Sequence, residues 1–221
     1  MFWRYRRIPQ WMLIAFALMG LLLVYLIELT QKEVKRNWYE EKLEAAVTMQ
    51  KAISVVGDAR EGRNIRIDPI SDPNSTGLVG DEFSLLTTDS GDLDEKLTVL
   101  NPNFAALVLG YLKRAGVEEG DRVAIGWTGS FPGANIAVLS AIKVIGAEPV
   151  IITSLGSSTW GANNKDLTWL DMEDILRDSG VLTYASIAAS IGGRGDRGGN
   201  ISPQGRDLAR TIIYNHGIDI V

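Results

Sequence analysis

Apolar positions along this chain follow three successive patterns. Residues 11–27 read WMLIAFALMGLLLVYLI, an uncharged run that reaches roughly 29 Å if extended to Leu29, at ~1.5 Å per helical residue. Trp11 and Tyr25 stand near its two ends, where interfacial aromatics belong. Over residues 31–56, Tyr39, Leu43, Ala46, Val47 and Ile53 recur at three- and four-residue spacing, with Glu40, Glu41, Lys42, Glu44 and Lys51 on the other face. This predicts a stalk helix that continues from the membrane and packs on a domain at its far end. From residue 57 the periodicity disappears. DPISDPNSTGLVGD is dense in Pro, Gly, Ser and Asp, so residues 58–94 are expected to be irregular, with at most short strands such as 64–67.

The second half alternates between strand and helix patterns. Asn101-Pro102 opens a helix that Gly116 closes, with Phe104, Leu107, Tyr111 and Leu112 turned to a core. RVAIGW (122–127) reads as a buried strand, TGSFPGA as a turn, 135–144 as a helix closed by Gly146, and VIIT (150–153) as the next strand. A strand–helix–strand unit of about 32 residues implies parallel pairing. A helix around 170–177 ending at Gly180, a strand at 184–188, a helix from Ser202-Pro203 to about 215 and a strand opening at 218 continue the series. The expected fold is α/β, a parallel-sheet three-layer (Rossmann-like) domain over 95–221, preceded by a transmembrane helix (11–29) and a stalk (30–57). Because the sequence stops as a strand opens, the domain is expected to continue past Val221.

Arg4, Arg6 and Arg7 precede the apolar run, as in a signal peptide, but ELTQKEVKRN after it lacks a small-x-small cleavage pattern. An uncleaved signal-anchor is therefore expected, with residues 1–10 as a short cytoplasmic tail. Lys32, Lys35 and Arg36 on the far side leave the positive-inside count undecided. The short tail favours an extracytoplasmic domain on a single-pass membrane protein.

Composition narrows the chemistry. The sequence has no Cys and one His, which excludes thiolate catalysis, disulfides and Cys- or His-rich metal sites. A net charge of -5 argues against a nucleic-acid partner held by phosphate neutralisation. No cofactor and no metal are expected.

Ligands of open parallel sheets bind outside the carboxyl ends of the strands. Three loops qualify there: 128–133, 154–164 and 192–200, all rich in Gly, Ser, Thr and Asn that can offer N–H and hydroxyl groups to an anion. The candidate ligand-binding residues are Thr128, Gly129, Ser130, Ser154, Ser157, Ser158, Asn163, Arg194, Asp196 and Arg197. Ser130 sits between a strand and a helix as a nucleophile-elbow serine does, but Thr128 replaces the first Gly of that motif, and its base would have to be His216. Asp171, Glu173 and Asp196 are the alternative catalytic carboxylates. Gly193, Gly195 and Gly198 match G-x-G-x-x-G with Asp219 downstream, yet Pro203 starts the helix too late for a dinucleotide site. Trp160, Trp169 and Phe131 are candidate pocket aromatics.

GSFPGAN (129–135), SSTWGAN (157–163), TWLDME (168–173) and GGRGDRG (192–198), with the N-terminal anchor, resemble the membrane-anchored accessory protein of bacterial poly-γ-glutamate biosynthesis systems. The likeness covers roughly residues 110–217. It implies a role in synthesis or export of this anionic capsule polymer, beside the poly-γ-glutamate synthase ligase and its integral-membrane partner. No catalytic residue follows from it, and a non-catalytic role is expected. A hydrolase or transferase acting on the polymer, or an anion- or nucleotide-binding module, is the alternative.

Overall fold

The computed structural model describes residues 9–31 and 35–221. The basic tail with Arg4, Arg6 and Arg7, and Lys32 beyond the apolar run, lie outside the described residues. The chain divides into two units, residues 1–37 and 38–221.

In the first unit, helix α1 (Gln10–Thr30) spans 21 residues with none buried. Its best 18-residue window has a mean hydropathy of 2.5. It is long and apolar enough to cross a membrane, a property that signal sequences share.

The second unit opens with α2 (Tyr39–Gly62), whose N-cap Trp38 takes left-handed backbone, φ 58°. α2 is an integral part of the core rather than a stalk. Ala45, Met49, Ala52, Val56 and Arg60 form its buried stripe, and it packs on α4 (Asn103–Arg114), α5 (Pro132–Ile145) and α6 (Trp169–Asp178). Tyr39, Leu43 and Val47, expected on the packing face, are exposed. Small residues let helices approach closely, so the Ala positions decide the face and the larger side chains flank it. The same rotation occurs in α4: Ala105 and Leu109 are buried, whereas Leu107 and Tyr111 are exposed. Pro102 is the N-cap of this helix, and Asn101 just before it accepts at Oδ1 from the N–H of Asn103 at 3.0 Å.

Four strands form one parallel sheet in the order β1 (Arg122–Thr128), β2 (Glu148–Ser154), β5 (Ala188–Ser190), β6 (Asp219–Ile220). Thr128 pairs with Ser154, and Ser154 with Ser190, so three polar residues line up at the carboxyl ends. α7 (Pro203–Asn215) connects β5 to β6 and is capped by Ser202, whose hydroxyl accepts from Gly205 N–H. The third strand starts four residues later and ends two later than the Tyr184–Ala188 pattern predicts, because Ala188, Ala189 and Ser190 carry the pairing. A two-residue hairpin, β3 (Asn163–Asn164) with β4 (Leu167–Thr168), precedes α6, whose capping box is Thr168 with Asp171. One side of β1 packs on the core through Val123, Ile125 and Trp127. Ala124 and Gly126 on its other side, and Ile152 of β2, face outward.

Residues 63–92 contain no strand, the 64–67 segment included. They are nevertheless tightly organised. Buried Arg60 donates to the carbonyls of Gly77, Val79 and Arg66, and buried Asp72 accepts from the N–H groups of Thr76 and Gly77. These bonds satisfy main-chain groups that have no ladder partner. The segment ends in α3 (Leu93–Thr98), capped by Asp92.

Candidate functional site

The loops after β1, β2 and β5 converge on a crevice of about 510 Å³. Thr128, Ser130, Ser154, Arg194 and Asp196, all expected there from the sequence, line it, together with Gly156, Gly193 and Asn200 of the same loops. The fourth wall is Thr88 and Asp89 from the irregular segment, which carries no sequence signal for a site. Thr88 is fixed by donating its N–H to Ser157 O at 2.8 Å, and the Asp89 carbonyl accepts from Thr159 N–H at 3.0 Å.

The remaining predicted residues have other positions. Gly129 is buried and donates its N–H to Ser154 O. Ser157 is fully buried, its hydroxyl donating to Ser158 O. Ser158 is half-buried and donates its N–H to the Ser130 hydroxyl at 3.0 Å. Asn163 is fully buried and clamps the main chain of Asp81. Arg197 is exposed and not part of the crevice wall.

The glycine loop is a compact turn. Arg194 N–H donates to Gly199 O and Gly198 N–H to Gly192 O, closing the loop on itself before Ser202 starts α7. Asp196, in left-handed backbone at φ 57°, accepts from the hydroxyls of Ser154 at 2.8 Å and Ser190 at 2.6 Å. This carboxylate therefore ties the loop to two strand ends. Arg194 forms no ion pair among the described residues, which leaves its guanidinium available to a carboxylate. The wall thus combines one free cation with Asp89 and Asp196.

His216 is not a partner of Ser130. It contacts Asp174 at 2.8 Å and Asp171 at 3.8 Å, in a cluster that also holds Arg177 on Asp174 and Arg63 on Asp171. The three candidate carboxylates are likewise dispersed. Asp171 caps α6, and Glu173 is buried beneath the sheet, accepting from Trp169 Nε1, Ser186 N–H and Ser186 Oγ at 2.6–2.8 Å. Burial pushes the Glu173 carboxyl above its usual range, against the hydrogen bonds that lower it. Trp169 is a core residue, edge-on to Trp127 with centroids 5.4 Å apart. Phe131 and Trp160 border a small apolar void of about 10 Å³. Among the described residues no group of three or more His, Asp or Glu side chains could hold a metal.

Lys96 is a buried cation at the edge of the site that the sequence did not reveal. In the string LDEKLT it reads as a solvated helix charge, yet it is only 3% exposed. Its Nζ donates to the carbonyl of Ser130 and to Ser158 Oγ, the latter at 2.6 Å, and lies 4.1 Å from the centroid of the Phe131 ring. Among the described residues no carboxylate pairs with it. Burial lowers its pKa to about 8, with Glu95 opposing the shift.

Comparison of the chain with protein-family models, with curated proteins and with solved structures finds no match.

Proposed function

We propose that this chain is a membrane-anchored component of poly-γ-glutamate synthesis or export, and that its crevice takes carboxylates of the polymer. One observation carries this reading: three of the segments on which the resemblance rests, around Ser130, Ser158 and Arg194, lie around one polar site. In this reading α1 is a single-pass anchor, the domain is a Rossmann-like module outside the cytoplasm, and the synthase ligase and its integral-membrane partner are its neighbours. A γ-linked glutamate chain offers one carboxylate per unit, suited to Arg194. The chain's net charge of -5 opposes the polymer at long range, so contact is local and salt-sensitive.

Titration of the full-length chain in detergent micelles with short γ-glutamate oligomers tests this. Binding is expected at low salt and is weaker at high salt. Arg194→Ala is expected to weaken it about tenfold or more, given ~1.5–3 kcal/mol for a charged hydrogen bond. Arg197→Ala is expected to change it little. No binding, or equal affinity in the Arg194 variant, overturns the reading.

A further inference from the structure

Lys96 and Ser158 meet in a way that polymer binding does not require. Among the described residues the lysine has no counter-ion, and its three polar or aromatic contacts come from uncharged groups, Ser130, Ser158 and Phe131. A buried ammonium is costly unless it is paired. A neutral amine keeps both hydrogen bonds and gives up only the cation–π contact with Phe131: one N–H remains on the Ser130 carbonyl, and the nitrogen lone pair accepts the Ser158 hydroxyl proton at 2.6 Å. Ser158 is also held from behind, because its N–H donates to Ser130 Oγ, and Ser130 lines the crevice. The main chain of Gly91 passes close to the hydroxyl, where a Cβ would come within 2.9 Å of Ser158 Oγ.

We infer that Ser158, half-buried behind the crevice wall at Ser130, is a nucleophile for acyl transfer with Lys96 as its general base, acting on carboxylate-bearing amides or esters that reach it past that wall. Lys96 removes the proton from Ser158 Oγ as the oxygen forms a bond to the substrate carbonyl carbon. The resulting ammonium gives that proton to the leaving nitrogen or oxygen as the C–N or C–O bond breaks. Water then attacks the acyl-serine, Lys96 relays its proton, and a carboxylic acid and free Ser158 are released. The sum is hydrolysis, with no oxidant or metal consumed. Ser130 is a positioning residue. The choice of γ-glutamyl amides as natural substrate rests on the polymer reading above; the serine chemistry does not.

Only the neutral amine can act as base, so reactivity rises with pH. The charged group acting on Lys96 is Glu95 of its own helix, while the contacts from the loops after β1 and β2 are uncharged. With a pKa of about 8, the neutral fraction grows about tenfold from pH 7 to pH 9.

The test is labelling of the full-length chain in detergent micelles with a fluorophosphonate, which loses fluoride to a nucleophilic serine, followed by peptide mass spectrometry. The expected adduct is on Ser158 and forms about tenfold faster at pH 9 than at pH 7. It is absent in Ser158→Ala, Lys96→Met and Lys96→Arg, the last of which retains a cation without a base. No adduct on the wild type, an adduct on Ser130, or wild-type labelling in Lys96→Arg overturns the inference. Where the lysine variants fail to fold, judged by urea unfolding, the wild-type pH profile decides, and a flat profile overturns it. An adduct without oligomer binding removes the polymer reading alone; oligomer binding without an adduct removes this one alone.

Discussion

Asp81 and Asn163 hold each other through two reciprocal hydrogen bonds: Asp81 N–H donates to Asn163 Oδ1 at 2.8 Å, and Asn163 Nδ2 donates to the Asp81 carbonyl at 2.7 Å. A side chain thus supplements the few backbone bonds, such as the Thr87–Ser157 bridge, that hold a segment lacking a regular strand. The amide also donates to Thr87 Oγ1 at 3.0 Å, next to the crevice wall at Thr88. Asn163→Leu leaves these groups buried and unpaired, at about 1–3 kcal/mol each. A loss of at least about 2 kcal/mol is expected in urea unfolding followed by tryptophan fluorescence. A loss below about 0.5 kcal/mol would show that the segment stays in place without this clamp.

Two adjacent isoleucines of β2 have opposite surroundings. Ile151 is fully buried, whereas Ile152 is 43% exposed on the outer face of the sheet. Ile151→Ala is expected to cost about 2–5 kcal/mol through lost burial and cavity formation. Ile152→Ala is expected to cost less than about 1 kcal/mol. Equal losses from the two substitutions would contradict an open outer face.

The βαβ series was legible because each element there carries its own punctuation. Gly146 terminates α5 in left-handed backbone, Ser202 caps α7, and β1 and β2 are continuous apolar runs. Helix faces were less legible, since Ala45, Ala52 and Ala105 outweigh Leu43 and Tyr111 only when a neighbouring helix is present. The crevice was half visible. Loops after parallel strands announce a site, and Ser130, Ser154 and Arg194 reached it. Asp89 and Lys96 could not be found this way, because long-range contacts alone bring residues 88–96 against the serine loops.

The buried carboxyl of Glu173 makes a specific pH signature. Its folded pKa is raised above the ordinary value of 4.5, so from pH 4.5 up to that raised value the folded state retains a proton that the unfolded state has released. Stability from this group is therefore complete below pH 4.5 and lost as pH rises through the folded pKa. Glu173→Gln lacks this dependence. The stability of wild type relative to the variant should fall as pH rises above 4.5 in urea titrations. A difference that is constant, or that grows with pH, would mean that the hydrogen bonds from Trp169 and Ser186 prevail over desolvation.

Helix α1 sets a partition experiment. With no buried residue and a mean hydropathy of 2.5 in its core window, it is not covered by any of the described residues of its own unit. The full-length chain is expected to sediment with membranes and to resist carbonate extraction, while a chain beginning at Asn37 is expected in the aqueous fraction. Recovery of the full-length chain in the aqueous fraction without detergent would exclude a spanning helix.

Two crevice-loop glycines are required for different physical reasons, which substitution can separate. Gly156 lines the crevice and has ordinary backbone, but a Cβ there would lie 2.6 Å from Thr88 Cγ2 and 2.9 Å from the Ile191 carbonyl oxygen. Neither contact can be relieved without moving the Thr88 wall or the loop after β5. Gly195 has open space around its Cβ position and is constrained only by φ +69°. Gly156→Ala is therefore an overpacking change, expected to cost about 1–3 kcal/mol. Gly195→Ala pays only for left-handed backbone, about 1–2 kcal/mol, and Gly195→Asn pays less because Asn tolerates that region. The two should also differ in effect on the site: Gly156→Ala should weaken γ-glutamate oligomer binding by displacing Thr88, while Gly195→Asn should leave the Asp196 bonds to Ser154 and Ser190 in place. Urea midpoints and oligomer titrations on the three variants measure both quantities. If Gly195→Asn proves as costly as Gly156→Ala, conformation and not packing governs both positions.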